Sequence, residues 1–406
     1  MSVTTVSSLH IYPIKSTQGI RLLQTDVEPR GLAFDRRFVI ADLSGQFITA
    51  RVEPTLCIVQ TRLTEQGLIL SAPNMPTLTL NYDEFSEHYQ NVTVWGDEIS
   101  GQSCTEAANA WFSEYLKRPC QLLFFGQKSL REKKASSKIS RQLAFADGYP
   151  LLLISQASLD SLNHRLANNQ QPAVLMSQFR PNIVVDNCLP FAEDGWLHIR
   201  IGEVEFMVSK PCERCILTTV NPNTGEKHFQ QQPLHTLKSF RKTSDGEILF
   251  GQNLIPLNSG QIKVGDKLTV ISQQEPPTFA VEQTNVQHQA DNLKKEKTIT
   301  AFANNNASTT KTSRKKATVH FDKWQKDYAI PDVKNNPKTL LENGEDAGLI
   351  LPYSCRAGMC GRCKAKLISG EVHQTTSDGL TAQEVQQGYI LCCSATAKSD
   401  VVIKHE

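Results

Sequence analysis

The sequence predicts a mostly β chain with some helix, an α+β protein of several domains. Three observations predict it. Short β-rich runs recur with turn residues between them, and only a few stretches space apolar residues at the helical period. From Gln273 to about Lys316, Gln, Asn, Thr, Lys and Pro dominate with almost no apolar periodicity, which reads as a flexible linker. Beyond it, cysteines fall in a fixed spacing, Cys355-x₄-Cys360-x₂-Cys363, followed by the pair Cys392-Cys393.

Composition narrows the class. At 406 residues the chain has room for two to four domains. A hydrophobic share of 39 % against 21 % charged is that of a soluble protein with cores. The net charge of +2 and the lack of a sustained basic face argue against nucleic acid as partner. Met1-Ser-Val-Thr-Thr lacks the basic start and apolar run of a signal peptide. No stretch reaches the roughly 18 apolar residues of a membrane span. The eleven cysteines do not form a disulfide framework, so a cytoplasmic location is expected.

The elements follow in order. Val6 to Ser16 reads as a strand ending at Pro13 and presenting Lys15 and Ser16 at its exit. Asp35 to Thr49 holds two β runs joined by Leu43-Ser-Gly45, a hairpin signal. Strands are expected at Leu56–Leu63, Leu68–Leu70 and Asn91–Trp95. A helix is expected over Thr105–Leu116, capped by Thr105, with Trp111 and Phe112 in the core. Pro150–Ser155 is a buried strand, and Leu159, Leu162 and Leu166 mark a helix after it. Phe179–Asp186 is the next strand. Trp196–Ile201 and Val204–Val208 pair round Gly202, and Val264–Ile271 comes last before the linker. A linker over 273–316 has an r.m.s. reach of roughly 35–40 Å. Its Lys-Lys-Glu-Lys and Ser-Arg-Lys-Lys clusters read as solvated charge. Past it come a strand at Thr318–Phe321, a helix within 338–348 ended by glycine, a hairpin through Lys364–Val372 and a strand at Val401–Ile403.

The cysteine spacing is the plant-type [2Fe–2S] pattern. Thiolates suit it because cluster iron favours sulfur. Gly358 and Gly361 let the backbone wrap closely where a side chain would intrude. Zinc usually takes C-x₂-C twice over, and a disulfide knot is the other alternative. The stretch 317–406 resembles the plant-type ferredoxin domain, a β-grasp fold. The family register implies Cys355, Cys360, Cys363 and Cys393 as ligands, with Cys392 the alternative for the fourth. Arg356 and Arg362 are expected to shape the loop and meet a donor protein.

A second constellation is Ser209-Lys-Pro-Cys-Glu-Arg-Cys215. By spacing alone, Cys212-x₂-Cys215 stays open between a redox pair, half a zinc site with His198, His228 or Cys188, and a structural cysteine at 212. Residues 1 to about 272 resemble the MOSC superfamily of molybdenum-cofactor domains. The resemblance rests on Tyr12-Pro-Ile-Lys-Ser16, Asp35-Arg36, Phe179-Arg-Pro-Asn182, Arg214-Cys-Ile-Leu-Thr-Thr-Val-Asn-Pro-Asn-Thr-Gly225, Leu237-Lys-Ser-Phe240 and Val264-Gly-Asp266. Bacterial members of the superfamily carry this same ferredoxin fusion, and the vertebrate amidoxime-reducing components share the MOSC part. The domains implied are a MOSC N-terminal β-barrel over 1–125, a MOSC molybdenum-cofactor domain over 126–272, the linker 273–316 and a ferredoxin-type domain over 317–406.

The resemblance implies that Cys215 binds molybdenum. Lys15, Arg36 and Arg180 have the charge and fork geometry for the phosphate and pterin oxygens of the cofactor, with Ser16 and Asn182 completing the hydrogen bonds. Asp147 matches a loop bordering the site and either positions substrate, moves a proton or forms a turn. Asn221-Pro-Asn223 departs from the acidic residues common in relatives, which bears on substrate range. The implied activity is reduction of N-hydroxylated compounds, purine bases among them, with detoxification as the role. A flavoprotein would donate electrons through the [2Fe–2S] cluster to the molybdenum cofactor, because no Gly-rich dinucleotide fingerprint is present. The alternative is a sulfur or molybdenum-cofactor carrier using Cys215.

Overall fold

The structure, a computed structural model, describes residues 3–134, 140–280, 297–301, 316–330, 333 and 338–405. They fall into two compact units. The first comprises Met1–Cys212, Leu217–Thr236 and Phe250–Pro277, and the second Glu213–Ile216, Leu237–Leu249 and Thr278–Glu406. Both are mostly β with some helix.

In the first unit an eight-stranded sheet runs in the order Ile20–Leu22, Thr5–Ile11, Ile183–Asp186, Leu151–Ser155, Leu249–Pro256, Val204–Glu213, Trp196–Ile201, Leu268–Gln273. Its parallel pair, with Leu153 opposite Ile183, is joined by the helix Gln156–Asn168. All five residues of Leu151–Ser155 are buried, as a strand covered on both faces requires. Strand alternation sends Leu9, Ile183, Ile199, Phe206 and Leu254 into one core. A four-stranded sheet of Phe38–Ala41, Gln121–Phe124, Asp97–Ser103 and Tyr89–Val94 stands apart in sequence from it. The helix Glu106–Leu116 starts where Thr105 accepts the Ala108 N–H at 3.2 Å, and it buries Trp111 and Phe112 in the core.

Several expectations are corrected. The strand expected over Leu56–Leu63 is a strand only at Gln60–Leu63. Pro54–Ile58 before it is a 3₁₀ turn, because proline at its start fixes φ and cannot donate to a ladder. Phe179–Asn182 is not strand either, since Arg180 takes a positive φ, and the strand begins at Ile183. Val264–Ile271 splits at a turn, with strand only at Leu268–Gln273. The short strands Gln24–Glu28, Leu78–Asn81 and Gly260–Lys263 carry too few apolar residues to be read from pattern.

In the second unit the order is Lys297–Ala301, Lys364–Gln374, Val401–Lys404, Ala317–Phe321, Lys326–Ile330. Ala317–Phe321 runs parallel to Val401–Lys404. The hairpin expected through Lys364–Val372 is instead one eleven-residue strand. It pairs with Tyr389–Leu391, Ala395–Ala397 and Val401–Lys404. Thr339 and Glu342 form a capping box on the helix Leu340–Asp346, which packs Leu340 and Leu341 beside Phe321 and Ile390. Most of the expected linker, with both its lysine clusters apart from Lys297 and Lys316, lies outside the described residues. Within it, Lys297–Ala301 pairs antiparallel with Gly370–Gln374, so that stretch is strand rather than linker. Among the described residues no helix is long and apolar enough to cross a membrane.

Leu153 is fully buried between paired strands. Leu153→Ala should lower the stability of the first unit by about 2–5 kcal/mol, read from its denaturant transition. A loss under about 1 kcal/mol would mean that the sheet does not carry this core.

Candidate functional site

Three of the sequence-nominated residues, Ser16, Arg36 and Arg180, sit at positive φ (79°, 48° and 56°). Such a backbone is unfavourable for residues with a side chain and persists only where its surroundings over-determine it. Here hydrogen bonds supply that constraint. The Arg36 N–H donates to the Tyr12 carbonyl at 2.9 Å, and the Phe145 N–H donates to the Arg36 carbonyl at 3.0 Å. The Tyr12 N–H donates to Asp35 at 2.8 Å.

The cations of the first unit converge. Arg36 donates to Asp35 at 2.6 Å, to Asn182 Oδ1 at 3.1 Å and to the Arg180 carbonyl at 3.3 Å. Arg180 donates to the Thr17 carbonyl at 2.7 Å. Both guanidinium groups lie over the Tyr12 ring, 4.3 and 4.1 Å from its centroid. Burial and the neighbouring Arg36 push the Arg180 guanidinium down from its ordinary value, while Asp35 and Tyr12 raise it. Asn182 also donates to the His10 carbonyl at 3.1 Å and accepts the Leu152 N–H at 3.2 Å. Its amide therefore orients Arg36 and ties strands together. Ser16, between Lys15 and Thr17 in sequence, is buried.

Asp147 organises the other side of the cluster. Its carboxylate accepts from Lys15 and, at 2.9 Å, from Arg51, while Trp95 Nε1 donates to it at 2.8 Å. The surrounding protein by itself would push this carboxyl up. The Lys15 and Arg51 charges outweigh that and hold it well below the usual range. A carboxylate so held is ionised at neutral pH and a poor proton donor, so its geometry favours positioning over proton transfer. Arg131 fixes the loop behind it, donating to the Ala144 carbonyl at 3.1 Å and to the Asp147 carbonyl at 2.9 Å. Sequence reading missed Arg51, Trp95 and Arg131. They lie in no motif, and only the fold brings them to Asp147.

The whole cluster sets Lys15, Arg36, Arg51 and Arg180 against Asp35 and Asp147. Four cations at buried or half-buried positions against two carboxylates fit an anionic, oxygen-rich group such as a pterin phosphate. Burial pushes Lys15 down to about 8 against the pull of Asp147.

The remaining nominated residues lie in the second unit. Cys215 follows the end of the strand Val204–Glu213 and is partly exposed. Cys355, Cys360, Cys363 and Cys393 are buried together in one loop system. Gly358 N–H points at Cys393 Sγ (3.2 Å), and Cys393 N–H at Cys363 Sγ (3.4 Å). Such amide donors stabilise thiolates that carry a cluster. Gly358, at φ 70°, would bring a Cβ within 2.3 Å of the Thr376 methyl, so only glycine fits there. Cys392 points elsewhere, with its Sγ 3.7 Å from His405 Nε2, a geometry that favours Cys393 as the fourth thiolate. Arg356 is engaged inward by Glu345 and lies over the Tyr353 ring, so it shapes the loop rather than facing a donor.

Two tests follow from this geometry. An anion bound against Lys15 favours its charged form, so binding takes up a proton once pH exceeds about 8. Sulfate affinity for the full chain should fall as pH rises from 7 to 9, and Lys15→Gln should flatten that dependence; a wild-type affinity constant across the range would contradict it. Cys393→Ser should lose the visible cluster absorption while Cys392→Ser keeps it, and the reverse pattern would reassign the ligand.

Residues 3–119 match the MOSC N-terminal beta barrel domain, residues 140–269 the MOSC domain, and residues 331–398 the 2Fe-2S iron-sulfur cluster binding domain. Mitochondrial amidoxime-reducing component 1 of Mus musculus is 36 % identical over 288 residues, covering 67 % of this chain and 83 % of the relative. Its Homo sapiens counterpart is 35 % identical over 289 residues, covering 67 % and 84 %. Mitochondrial amidoxime reducing component 2 of Bos taurus is 36 % identical over 282 residues, covering 65 % and 82 %. The chain belongs to the MOSC-domain family that includes the mitochondrial amidoxime-reducing components, and it carries a 2Fe-2S iron-sulfur cluster binding domain in addition.

Proposed function

We propose that the protein is a molybdenum-cofactor-dependent reductase of N-hydroxylated compounds, N-hydroxylated purine bases among them. Cys355, Cys360, Cys363 and Cys393 would hold a [2Fe–2S] cluster able to take electrons one at a time from a flavoprotein, and Cys215 would hold the molybdenum that receives them. The observation that carries this reading is the cation cluster of buried Lys15 with half-buried Arg36, Arg51 and Arg180, in a chain that also holds four buried cysteines at cluster spacing. The names of the relatives, amidoxime-reducing components, support the substrate class.

When bound, the cofactor supplies storage for two electrons and a metal that accepts oxygen. The chain's residues do the rest. Lys15, Arg36 and Arg180, with Ser16, hold its anionic end by charge-assisted hydrogen bonds. Asn182 keeps Arg36 in place for that task. Cys215 offers one soft thiolate to the metal. Asp147, ionised and braced by Lys15, Arg51 and Trp95, fixes the orientation of Lys15 and presents a negative rim. Cys355, Cys360, Cys363 and Cys393 bind the two irons. The division assigned to these roles is a β-barrel domain over 1–125, a cofactor domain over 126–272 and a ferredoxin-type domain over 317–406.

Metal content of anaerobically purified protein tests the reading. Wild type should hold about two irons and about one molybdenum per chain, and Cys215→Ser should keep the iron but lose the molybdenum. Iron without molybdenum, in cells that make the cofactor, would contradict the reductase and bring forward a carrier role for Cys215.

A further inference from the structure

We propose that the hydrogen bond from the Ile216 N–H to the Cys355 carbonyl, 2.8 Å long, is the contact through which electrons leave the [2Fe–2S] cluster for the group held on Cys215, and that Arg362 and Glu247 position it. The inference rests on the function proposed above. It starts from the composition of the second unit, which contains Glu213–Ile216 and Leu237–Leu249 together with the cluster-binding domain. Both short segments fall inside the stretch matched by the MOSC domain.

Within that unit the two segments meet the cluster loop at several points. Glu247 pairs with Arg362 at 2.9 Å, one residue before the ligand Cys363. Lys238 Nζ donates to the Asp378 carbonyl at 3.2 Å. Gly246, at φ 94°, lies so close that a Cβ there would stand 2.3 Å from the carbonyl oxygen of the ligand Cys360. The turn that presents Gly246 and Glu247 is built in advance. The Glu247 N–H donates to Thr243 Oγ1 at 3.0 Å, and the Gly246 N–H to the Thr243 carbonyl at 3.1 Å. The Arg214 N–H donates to the Ile248 carbonyl at 2.7 Å, which ties the Cys215 segment to that turn. One ligand residue thus accepts a hydrogen bond from the residue next to Cys215, and a second abuts the turn that holds this segment.

The path is short and almost wholly covalent. It runs from Cys355 Sγ along its own backbone to the carbonyl oxygen, crosses one hydrogen bond to the Ile216 nitrogen, and returns through the Cys215 backbone to Cys215 Sγ. Each passage moves one electron: the reduced Fe(II)–Fe(III) cluster becomes Fe(III)–Fe(III), and the acceptor on Cys215 gains that electron. Two passages and two protons convert an N-hydroxyl group to the amine or amidine, with the oxygen leaving as water.

The test uses the full chain, loaded with both metals, as wild type, Arg362→Glu, Glu247→Arg, the Arg362→Glu/Glu247→Arg exchange, and Gly246→Val. Hydrogen exchange of the peptide containing Ile216 reads the contact. Stopped-flow bleaching and recovery of the cluster absorption, with an amidoxime as oxidant, reads the electron route. Each single variant should keep its iron and molybdenum, lose protection at Ile216, and slow cluster reoxidation by about ten- to a hundredfold. The charge exchange should restore both readouts, which loss of folding would not do. Full-rate reoxidation in Arg362→Glu and Gly246→Val with Ile216 unprotected would overturn the contact and leave the reductase reading intact. A wild-type protein whose Ile216 is protected but whose cluster the amidoxime never reoxidises would overturn the electron route together with the reductase reading.

Discussion

Gathering several like charges at buried and half-buried positions is the constraint on which the first unit's candidate site depends. Arg36 and Arg180 share the Tyr12 ring, and Lys15 and Arg51 share Asp147. Partly withdrawn from water, each charge is steadied by a partner: Asp35 pairs with Arg36, and Asp147 with Lys15 and Arg51. An arrangement of this kind is costly unless an anion completes it. Its backbone is consistent with the same purpose, since Ser16, Arg36 and Arg180 hold conformations that residues with side chains avoid. Backbone strain and clustered positive charge at one place, in residues nominated by motif, are the grounds for the ligand site proposed above.

Strand position explains how the site is aimed. Lys15 and Ser16 follow the strand Thr5–Ile11 of the large sheet, Arg180 and Asn182 precede its antiparallel neighbour Ile183–Asp186, and Arg36 precedes the strand Phe38–Ala41. The side chains therefore sit on irregular backbone whose ends are fixed by sheet. Asn182 is the joint: its side chain bridges His10, Leu152 and Arg36. A residue expected to complete the hydrogen bonds of a ligand thus acts as a brace for Arg36.

Much of this was legible in the sequence, and the gaps have physical causes. The helix cap at Thr105 and the apolar run Leu151–Ile154 are local signals, and they fell where expected. Lys15, Arg36, Arg180 and Asp147 were legible as motif residues. Arg51, Trp95 and Arg131 were not, because their roles arise from contacts across sequence distances no local pattern encodes. The strand Lys364–Gln374 looked like a hairpin because its centre, Ser369-Gly370, carries turn residues. Gly370 there makes a close backbone approach to Asp400 instead of a reversal. The strand Lys297–Ala301 was hidden in polar composition because its pairing is a backbone matter. Nothing in the sequence announced that Glu213–Ile216 and Leu237–Leu249 would group with the cluster-binding domain.

On the proposed function, electrons on the cluster reach an N-hydroxylated substrate only through the group on Cys215. A single-turnover experiment addresses it directly: the cluster is reduced anaerobically with dithionite, excess reductant is removed, and an amidoxime is added to wild type and to Cys215→Ser. The account predicts that wild type returns to its oxidised spectrum with formation of amidine, while Cys215→Ser stays reduced. Equal reoxidation of the two proteins, with equal product, would contradict it.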